Sequence, residues 1–273
     1  MSRLKEQGMR LSLYTSVRNV VRMDFPVREM LQHHLPLADE IIVNEGHSDD
    51  GTLELVSSID PKIKVFRHAW DDTPSPAWWA RFSDDARRHC TGDWCLKLDC
   101  DEFIPEWEFA RLHEQIRTAS EDILPVKFTN FYGNYRVYHA APEKIRWITH
   151  KWILHRNRPD VHYVGDGSSA QIGEQPWPAV RSDALTLHHF GAVRDAAQMR
   201  KKWREDGLRK QNRRGPWIPQ FIYNFRPHDW FDADFIDDLA TYEGPFIGPV
   251  REAPDRFTKD NLRLFHHLKQ LGR

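Results

Sequence analysis

Over the first hundred residues short apolar runs alternate with amphipathic stretches, and this rhythm constrains the fold more than any other feature of the chain. A short β-branched run is a strand buried on both faces, and the amphipathic stretch after it is a crossover helix that returns the chain to pair in parallel. Leu11 to Thr15 reads as the first strand. Val27, Met30, Leu31, His34 and Leu35 recur at helical spacing, and Ile41, Ile42 and Val43 make the next strand. Asp49, Asp50, Gly51 and Thr52 open a second helix, which presents Leu53, Leu55, Val56 and Ile59 and stops before Pro61. Lys62 to Arg67 is a third strand. A loop rich in Asp, Pro and Trp (Trp70 to Trp79) leads into a polar helix from Arg81 to His89, and Asp93 to Leu98 is a fourth strand.

Right-handed crossovers in this order collect ligand sites at the carboxyl ends of the strands. Thr15, Glu45 and Asp99 all fall at such ends. Beyond Pro105 the pattern changes. Pro125 to Phe128, Tyr135 to Tyr138, Lys151 to His155, Val161 to Val164 and Leu185 to Leu187 predict an added sheet, and Asp195 to Gln211 a basic helix. A Pro-, Gly- and aromatic-rich segment, Arg213 to Phe257, is expected to wrap the surface before a last helix from Thr258 to Leu271 that carries Leu264, Leu268 and Leu271. A chain of 273 residues accommodates one large domain, residues 1–203, with a C-terminal appendage, residues 204–273.

Lys plus Arg number 39 and Asp plus Glu 40, so no general field favours nucleic acid and any anion site must be local. Cys90, Cys95 and Cys100 match neither a zinc pair nor an even-numbered disulfide framework, which predicts reduced, buried thiols in a cytoplasmic protein. No apolar run approaches about 18 residues, and the first ten residues lack a signal-peptide core, so any membrane contact would be peripheral.

The chemistry concentrates in Trp94-Cys-Leu-Lys-Leu-Asp99-Cys-Asp101-Glu102-Phe103, where an apolar strand delivers three carboxylates within four residues to its end. Like charges that close repel unless a cation or hydrogen-bond donors hold them. Hard oxygen ligands of this kind suit Mg²⁺ or Mn²⁺, with open positions left for diphosphate oxygens. The plainer account is a solvated acidic turn that caps the next helix.

A second element tips the balance. Val43-Asn-Glu45-Gly46-His47-Ser48-Asp49-Asp50-Gly51-Thr52 resembles the D-x-G-S-x-D-G-T segment that family 2 glycosyltransferases carry after their second strand. Thr15 to Asn19 is similar to that family's strand-one turn, and Thr91-Gly-Asp-Trp-Cys-Leu-Lys-Leu-Asp99-Cys-Asp101-Glu102 to its GDW…LDxDE. A third segment, Leu187-His188-His189-Phe190-Gly191-Ala192-Val193-Arg194-Asp195, with Met199 and Lys202 downstream, looks like the H-[YF]-G-x-V-R-D stretch of a bacterial branch of these enzymes. That branch also has a lone Asp upstream, which Asp166 matches. The likeness covers most of residues 10 to 202, and Tyr242-Glu-Gly-Pro245 is its last echo.

The resemblance implies a GT-A fold of the α/β class: a Rossmann-like, mixed and mainly parallel sheet flanked by helices, with an added small sheet and a C-terminal helical appendage. It implies a nucleotide-binding half, residues 1–104, and an acceptor half, residues 105–203. Thr15, Ser16, Val17 and Arg18 are expected around the base, and Glu45 in place of the family's Asp, one methylene longer. Arg81, Asp99 and Cys100 are expected to contact the nucleotide sugar. His47 stands where the family has Gly. The activity implied is metal-dependent transfer of a sugar from a UDP- or GDP-linked donor to a hydroxyl of a glycan or glycolipid, with inversion, in cell-surface polysaccharide or lipopolysaccharide assembly.

From the residues themselves, a His close behind an apolar strand in a carboxylate-rich chain can be a neutral imidazole ligand, and His189 rather than His188 is expected to join Asp99 and Asp101 at the metal. Inverting transfer needs a base for the acceptor hydroxyl. Asp166, in a glycine-flanked turn, is the first candidate, with Glu174 and Asp183 in reserve. The basic stretch Arg200, Lys201, Lys202, Arg204, Arg209, Lys210, Arg213 and Arg214 reads as a diphosphate grip or a solvated helix face, and Trp78, Trp79, Trp217 and Trp230 as sugar platforms or loop anchors. Two other classes compete. A sugar-nucleotide nucleotidyltransferase would need a Gly-rich loop after strand one, which Thr15 to Phe25 lacks, and a silent binding module would more naturally have lost Asp99 or Asp101.

Overall fold

Each of the four apolar runs of the first hundred residues forms a strand, and the stretches between them form helices. The structure is a computed structural model that describes residues 8–73, 75, 77–141, 148–202, 238–260 and 262–273. β1 (Leu11–Val17) pairs in parallel with β2 (Glu40–Glu45) and β4 (Trp94–Lys97), and β2 in parallel with β3 (Ile63–Arg67). The crossovers are α1 (Val27–His34), α2 (Thr52–Ser57) and α3 (Trp78–Arg87). Helix α3 starts earlier than its polar run suggests because Trp78 is driven inside, where it packs edge-on against Trp70 and Phe82.

Alternation along the strands sends Leu11, Leu13, Ile41, Val43 and Leu96 into one buried cluster and Tyr14, Ile42 and Cys95 into another on the opposite face. Burying each such aliphatic side chain stabilises the fold by about 1.5–3 kcal/mol, which is why a parallel sheet must be covered on both faces. All three cysteines are buried and unpaired.

The second half continues the same sheet. After β5 (Glu102–Phe103) and α4 (Phe109–Thr118) come β6 (Ile123–Tyr132), β7 (Asn134–His139), β8 (His150–Arg156), β9 (Val161–Val164), β10 (Ser169–Ile172) and β11 (Leu185–Ala192). Strand β8 lies antiparallel between β4 and β6, β7 follows beyond β6, and β12 (Leu239–Thr241) closes that edge. Most of the strand-like runs after Pro105 therefore extend the main sheet. The small added sheet is the β9–β10 hairpin alone.

Residues 196–202 begin the expected basic helix, α5. Arg204, Arg209, Lys210, Arg213, Arg214, Trp217 and Trp230 lie outside the described residues. Helices α6 (Gly248–Glu252) and α7 (Arg263–Gln270) complete the chain. Helix α7 starts at Arg263 rather than Thr258 because the Asp260 carboxylate accepts the Leu262 and Leu264 N–H groups at 2.9 and 3.1 Å and so caps the start. Among the described residues no helix is long and apolar enough to cross a membrane.

Candidate active site

β4 ends at Lys97, and the chain turns through Asp99 to Asp101 before the two-residue β5. Strand β5 pairs antiparallel with β11, Glu102 opposite His189, and the Phe190 N–H donates to the Asp101 carbonyl at 2.8 Å. This short ladder joins residues far apart in the chain. It sets His189 Nε2 3.7 Å from Asp101 Oδ1 on the floor of an open cleft.

The three carboxylates are held by four cations. Lys97 Nζ lies 2.5 Å from Asp99 Oδ1, and Lys151 Nζ lies 2.6 Å from Glu102 Oε1 and 3.5 Å from Asp99 Oδ2. Arg194 Nη2 and Lys202 Nζ meet Asp101 Oδ2 at 3.2 and 3.1 Å. Burial alone would raise the Asp99 carboxyl, but Lys97 and Lys151 outweigh it and hold the group well below the usual carboxylate range. Burial likewise opposes the charge of Asp101, and Lys202 with Arg194 holds it ionised. Burial would lower the Lys151 ammonium, yet Glu102 and Asp99 push it above its ordinary value, so it stays charged. Among the described residues that line the cleft, Arg18, Lys97, Lys151 and Lys202 stand against Asp99, Asp101 and Asp166, a balance that favours anions such as a diphosphate.

Arg194 and Lys202 differ in how tightly they are held. The buried Arg194 guanidinium also donates to the carbonyls of Met23 and Asp24 at 2.7 and 2.8 Å and lies over the Phe25 ring. Lys202, on α5 at the cleft rim, donates also to the Gly191 carbonyl at 3.0 Å and lies 5.4 Å from the centre of the Phe25 ring, and it is more exposed than Arg194.

Successive side chains of a strand face opposite ways, so the histidine pair must split. His189 faces the cleft. Its Nδ1 is 2.8 Å from Asn130 Oδ1, and burial pushes its imidazole down to about 4, which leaves it neutral at pH 7. His188 turns inward against Phe131 and Trp107, with Tyr242 Oη 3.3 Å from its Nε2, and burial pushes it down to about 3. Gly191 is required beside His189, because a Cβ there would lie 2.3 Å from the imidazole Nε2. Among the described residues no group of three or more His, Cys, Asp or Glu side chains is gathered to hold a metal ion. Asp101 and His189 form a pair, and the carboxylate of Asp99 is turned to its two lysines.

Asp166 lies at the cleft wall in the turn between β9 and β10, where its Oδ1 accepts the Ser168 N–H at 3.1 Å. Gly165 (φ 56°) and Gly167 (φ 78°) supply the left-handed backbone the turn needs, and a Cβ on Gly167 would strike the Ala80 nitrogen at 2.8 Å. The turn thus sits directly on the start of α3. Buried contacts of Tyr14 Oη with Tyr163 Oη at 2.6 Å and with His155 Nε2 at 2.9 Å tie β9 to the core beneath it. Trp79 lines the same wall, whereas Trp78 is fully buried and cannot serve as a sugar platform.

The other residues singled out by sequence fall into two groups. Ser16, Arg18, Asp99 and Cys100 line the cleft, with Arg18 paired to Asp72 by two contacts of 2.5 and 3.2 Å. Thr15, Val17 and Glu45 are buried in the strands. The Glu45 carboxylate accepts the Ser48 N–H at 2.5 Å and pairs with Arg67 on the neighbouring strand at 2.8 Å, and it is not among the cleft-lining residues. His47 adopts φ 54°, the conformation for which glycine is the usual choice. Arg81 pairs with Asp71 at 3.2 Å outside the cleft lining, and neither Glu174 nor Asp183 lies on it.

Sequence reading passed over Lys97, Lys151 and Asn130. Lys97 carries a signal: a lone cation alternating with Leu96 and Leu98 in a buried strand needs a buried counter-charge.

In fold the chain resembles S. aureus TarS. It matches TarS 1-349 in complex with UDP at 14% identity and TM-score 0.46, over 79% of this chain and 70% of that one. Against S. aureus TarS itself it shows 16% identity and TM-score 0.44, over 79% of this chain and 42% of the other. It also resembles glucosyl-3-phosphoglycerate synthase from Mycobacterium tuberculosis in complex with Mn²⁺ and UDP-glucose, at 19% identity and TM-score 0.34 over 45% of this chain and 44% of that one. No curated protein matches its sequence. The family description "Glycosyl transferase family 2" matches residues 26–172, more than half of the chain and a stretch that runs from α1 through the carboxylate turn and the Asp166 turn to β10; the chain belongs to glycosyl transferase family 2.

Proposed function

We propose that this glycosyltransferase moves a sugar, with inversion, from a nucleoside-diphosphate donor to a hydroxyl of a glycan or glycolipid, using Mn²⁺ or Mg²⁺ held by Asp101 and His189. The observation that carries the reading is the 3.7 Å approach of Asp101 Oδ1 to His189 Nε2 at the base of the cleft. A carboxylate oxygen and a neutral imidazole nitrogen are both acceptors, and facing one another they call for a cation between them. Neighbouring ligand atoms each about 2.1 Å from one octahedral ion stand roughly 3 Å apart, so a side-chain shift that closes the 3.7 Å gap would let both atoms grip it. Two protein ligands are enough where donor phosphates complete the shell, the usual habit of Mg²⁺ with nucleotide substrates.

When bound, such an ion would neutralise the charge that develops on the departing diphosphate. The chain's own cations reinforce this: Lys202 sits at the rim within reach of the same oxygens, and Arg194 from below holds the Asp101 carboxylate in place. Asp99, gripped by Lys97 and Lys151, presents an ordered carboxylate edge to hydroxyls of the nucleotide sugar rather than to the ion. Asp166, exposed on the cleft wall, would take the proton of the acceptor hydroxyl as the new glycosidic bond forms.

The test is thermal-shift or calorimetric binding of UDP and of GDP, each with and without Mn²⁺. One nucleotide is expected to stabilise the protein only with metal, by about 2.7 kcal/mol at a hundred times its Kd. Asp101→Ala should abolish that response. Asp166→Asn should keep it and lower turnover about 10²–10⁴-fold. Unchanged metal dependence in Asp101→Ala would place the metal elsewhere, and near-normal turnover of Asp166→Asn would remove it as the base.

A further inference from the structure

Asn130 and His189 face each other across the parallel pairing of β6 and β11, where the register sets the two residues side by side. Their side chains emerge on the same face, and Asn130 is buried under the cleft floor. The Asn130 amide has two distinct ends. Its Nδ2 donates to the Ile148 carbonyl at 3.2 Å, an acceptor that only an N–H can satisfy, so its Oδ1 is the end turned to His189 Nδ1 at 2.8 Å. An amide oxygen only accepts. The His189 proton must therefore sit on Nδ1, which leaves the lone pair of Nε2 directed at Asp101 and the cleft.

We propose that Asn130 is a positioning residue that locks His189 in the Nδ1–H tautomer, so that Nε2 is permanently the ligand nitrogen for a divalent cation shared with Asp101. The inference rests on the metal-binding reading above and extends it to a residue with no direct contact to the ion. Three features lock the ring together. The amide fixes the tautomer, the Phe128 ring packs edge-on with its centre 5.7 Å from that of the imidazole, and the bare Cα of Gly191 leaves the ring the space it occupies. Without the Asn130 acceptor, the imidazole is free to carry its proton on either nitrogen and to turn about χ2, and each change removes the lone pair from the cleft.

The experiment compares wild type, Asn130→Leu and Asn130→Asp by two readouts. The first is ¹⁵N NMR of the His189 ring, assigned with a His189 variant, which reports the protonated nitrogen without any metal. The second is Mn²⁺ affinity by calorimetry in the presence of saturating UDP or GDP, whose phosphates complete the shell. Wild type should show a protonated Nδ1 and a bare Nε2. Asn130→Leu should show mixed or Nε2–H signals and about 10–100-fold weaker Mn²⁺ binding, the usual cost of losing the partner of a metal-bound histidine. Asn130→Asp, with one oxygen protonated to donate to the Ile148 carbonyl, keeps the other as acceptor and should retain the Nδ1–H signal and stay within a few-fold of wild type, a rescue that a merely space-filling role would not produce. A wild-type Nε2–H signal, or wild-type Mn²⁺ affinity in folded Asn130→Leu, would overturn the proposal. A protonated Nδ1 in a wild type that binds no Mn²⁺ would instead sink the metal reading and leave the tautomer assignment standing.

Discussion

Lys151→Met tests the charge balance beneath the cleft. The Lys151 ammonium lies on β8, almost wholly out of solvent, 2.6 Å from the fully buried Glu102 carboxylate and 4.6 Å from the centre of the Phe128 ring. Methionine preserves most of the stem's volume, so the substitution removes charge rather than packing. What remains among the described residues is Glu102, a carboxyl that burial already pushes above its ordinary value against the pull of Lys151, with the Asp99 N–H at 2.9 Å and no cation in contact. Removing one partner of a buried ion pair costs about 3–5 kcal/mol, because the other is left desolvated and unpaired. Against a total stability of about 5–15 kcal/mol this is a large fraction, and it should lower Tm by on the order of 10 °C. Urea titration should show the midpoint falling with an unchanged slope. Adding Glu102→Gln removes the orphaned charge and should recover more than half of the loss, since neutral replacement of a buried pair is often close to neutral in stability. A single-variant loss under about 1 kcal/mol, or a double variant no more stable than the single, would show that the buried charge was not what the lysine offsets.

Gly191→Ala places a Cβ 2.3 Å from His189 Nε2 and must push the imidazole off its position, so Mn²⁺ binding should weaken at least tenfold while the far-ultraviolet circular dichroism spectrum stays native; wild-type affinity would mean the ring adapts without leaving the site. Glu40 accepts from Ser12 Oγ, the Thr91 N–H and Thr91 Oγ1 at 2.7, 2.6 and 2.8 Å and pairs with Lys64 at 2.6 Å. Burial opposes its charge, but Lys64, Ser12 and Thr91 bring it down to about 2. Because the folded value lies below the unfolded value of about 4.3, its contribution is full above roughly pH 5 and fades as the pH falls toward 2. Glu40→Gln should therefore lose about 1.5–3 kcal/mol at pH 7 and show a flatter decline than wild type between pH 5 and 2 in urea titrations. An equally steep decline in the variant would assign the acid sensitivity to other carboxylates.

Much of the architecture was legible because it depends on local pattern. The β-branched runs and helical spacings of residues 11 to 98 mark the parallel strands and crossovers whatever else the chain does, and a strand that ends in Asp99, Asp101 and Glu102 announces a site at its carboxyl end. Splitting of the His188–His189 pair between two faces was likewise implicit in strand alternation. The left-handed turn around Asp166 was legible in Gly165 and Gly167. Where reading went astray, a neighbour outside the local window decided. Glu45 stands at a strand end as expected, but Arg67 on the adjacent strand and the Ser48 N–H claim its carboxylate. Trp78 stands in the stretch read as a loop, as a sugar platform or loop anchor, yet it opens α3 and Trp70 and Phe82 draw it into the core.

By itself, then, the sequence determined the fold class and which carboxylates stand at the strand ends, since periodicity and backbone preference act over a few residues. Only the tertiary structure decided which of them meet. The β5–β11 ladder brings His189 to Asp101, and the β6–β11 register brings Asn130 to His189. Lys151 reaches Glu102 from β8 because that strand enters the sheet antiparallel beside β4. Register between distant strands is set by the summed burial of whole faces, and no short stretch of sequence contains that sum.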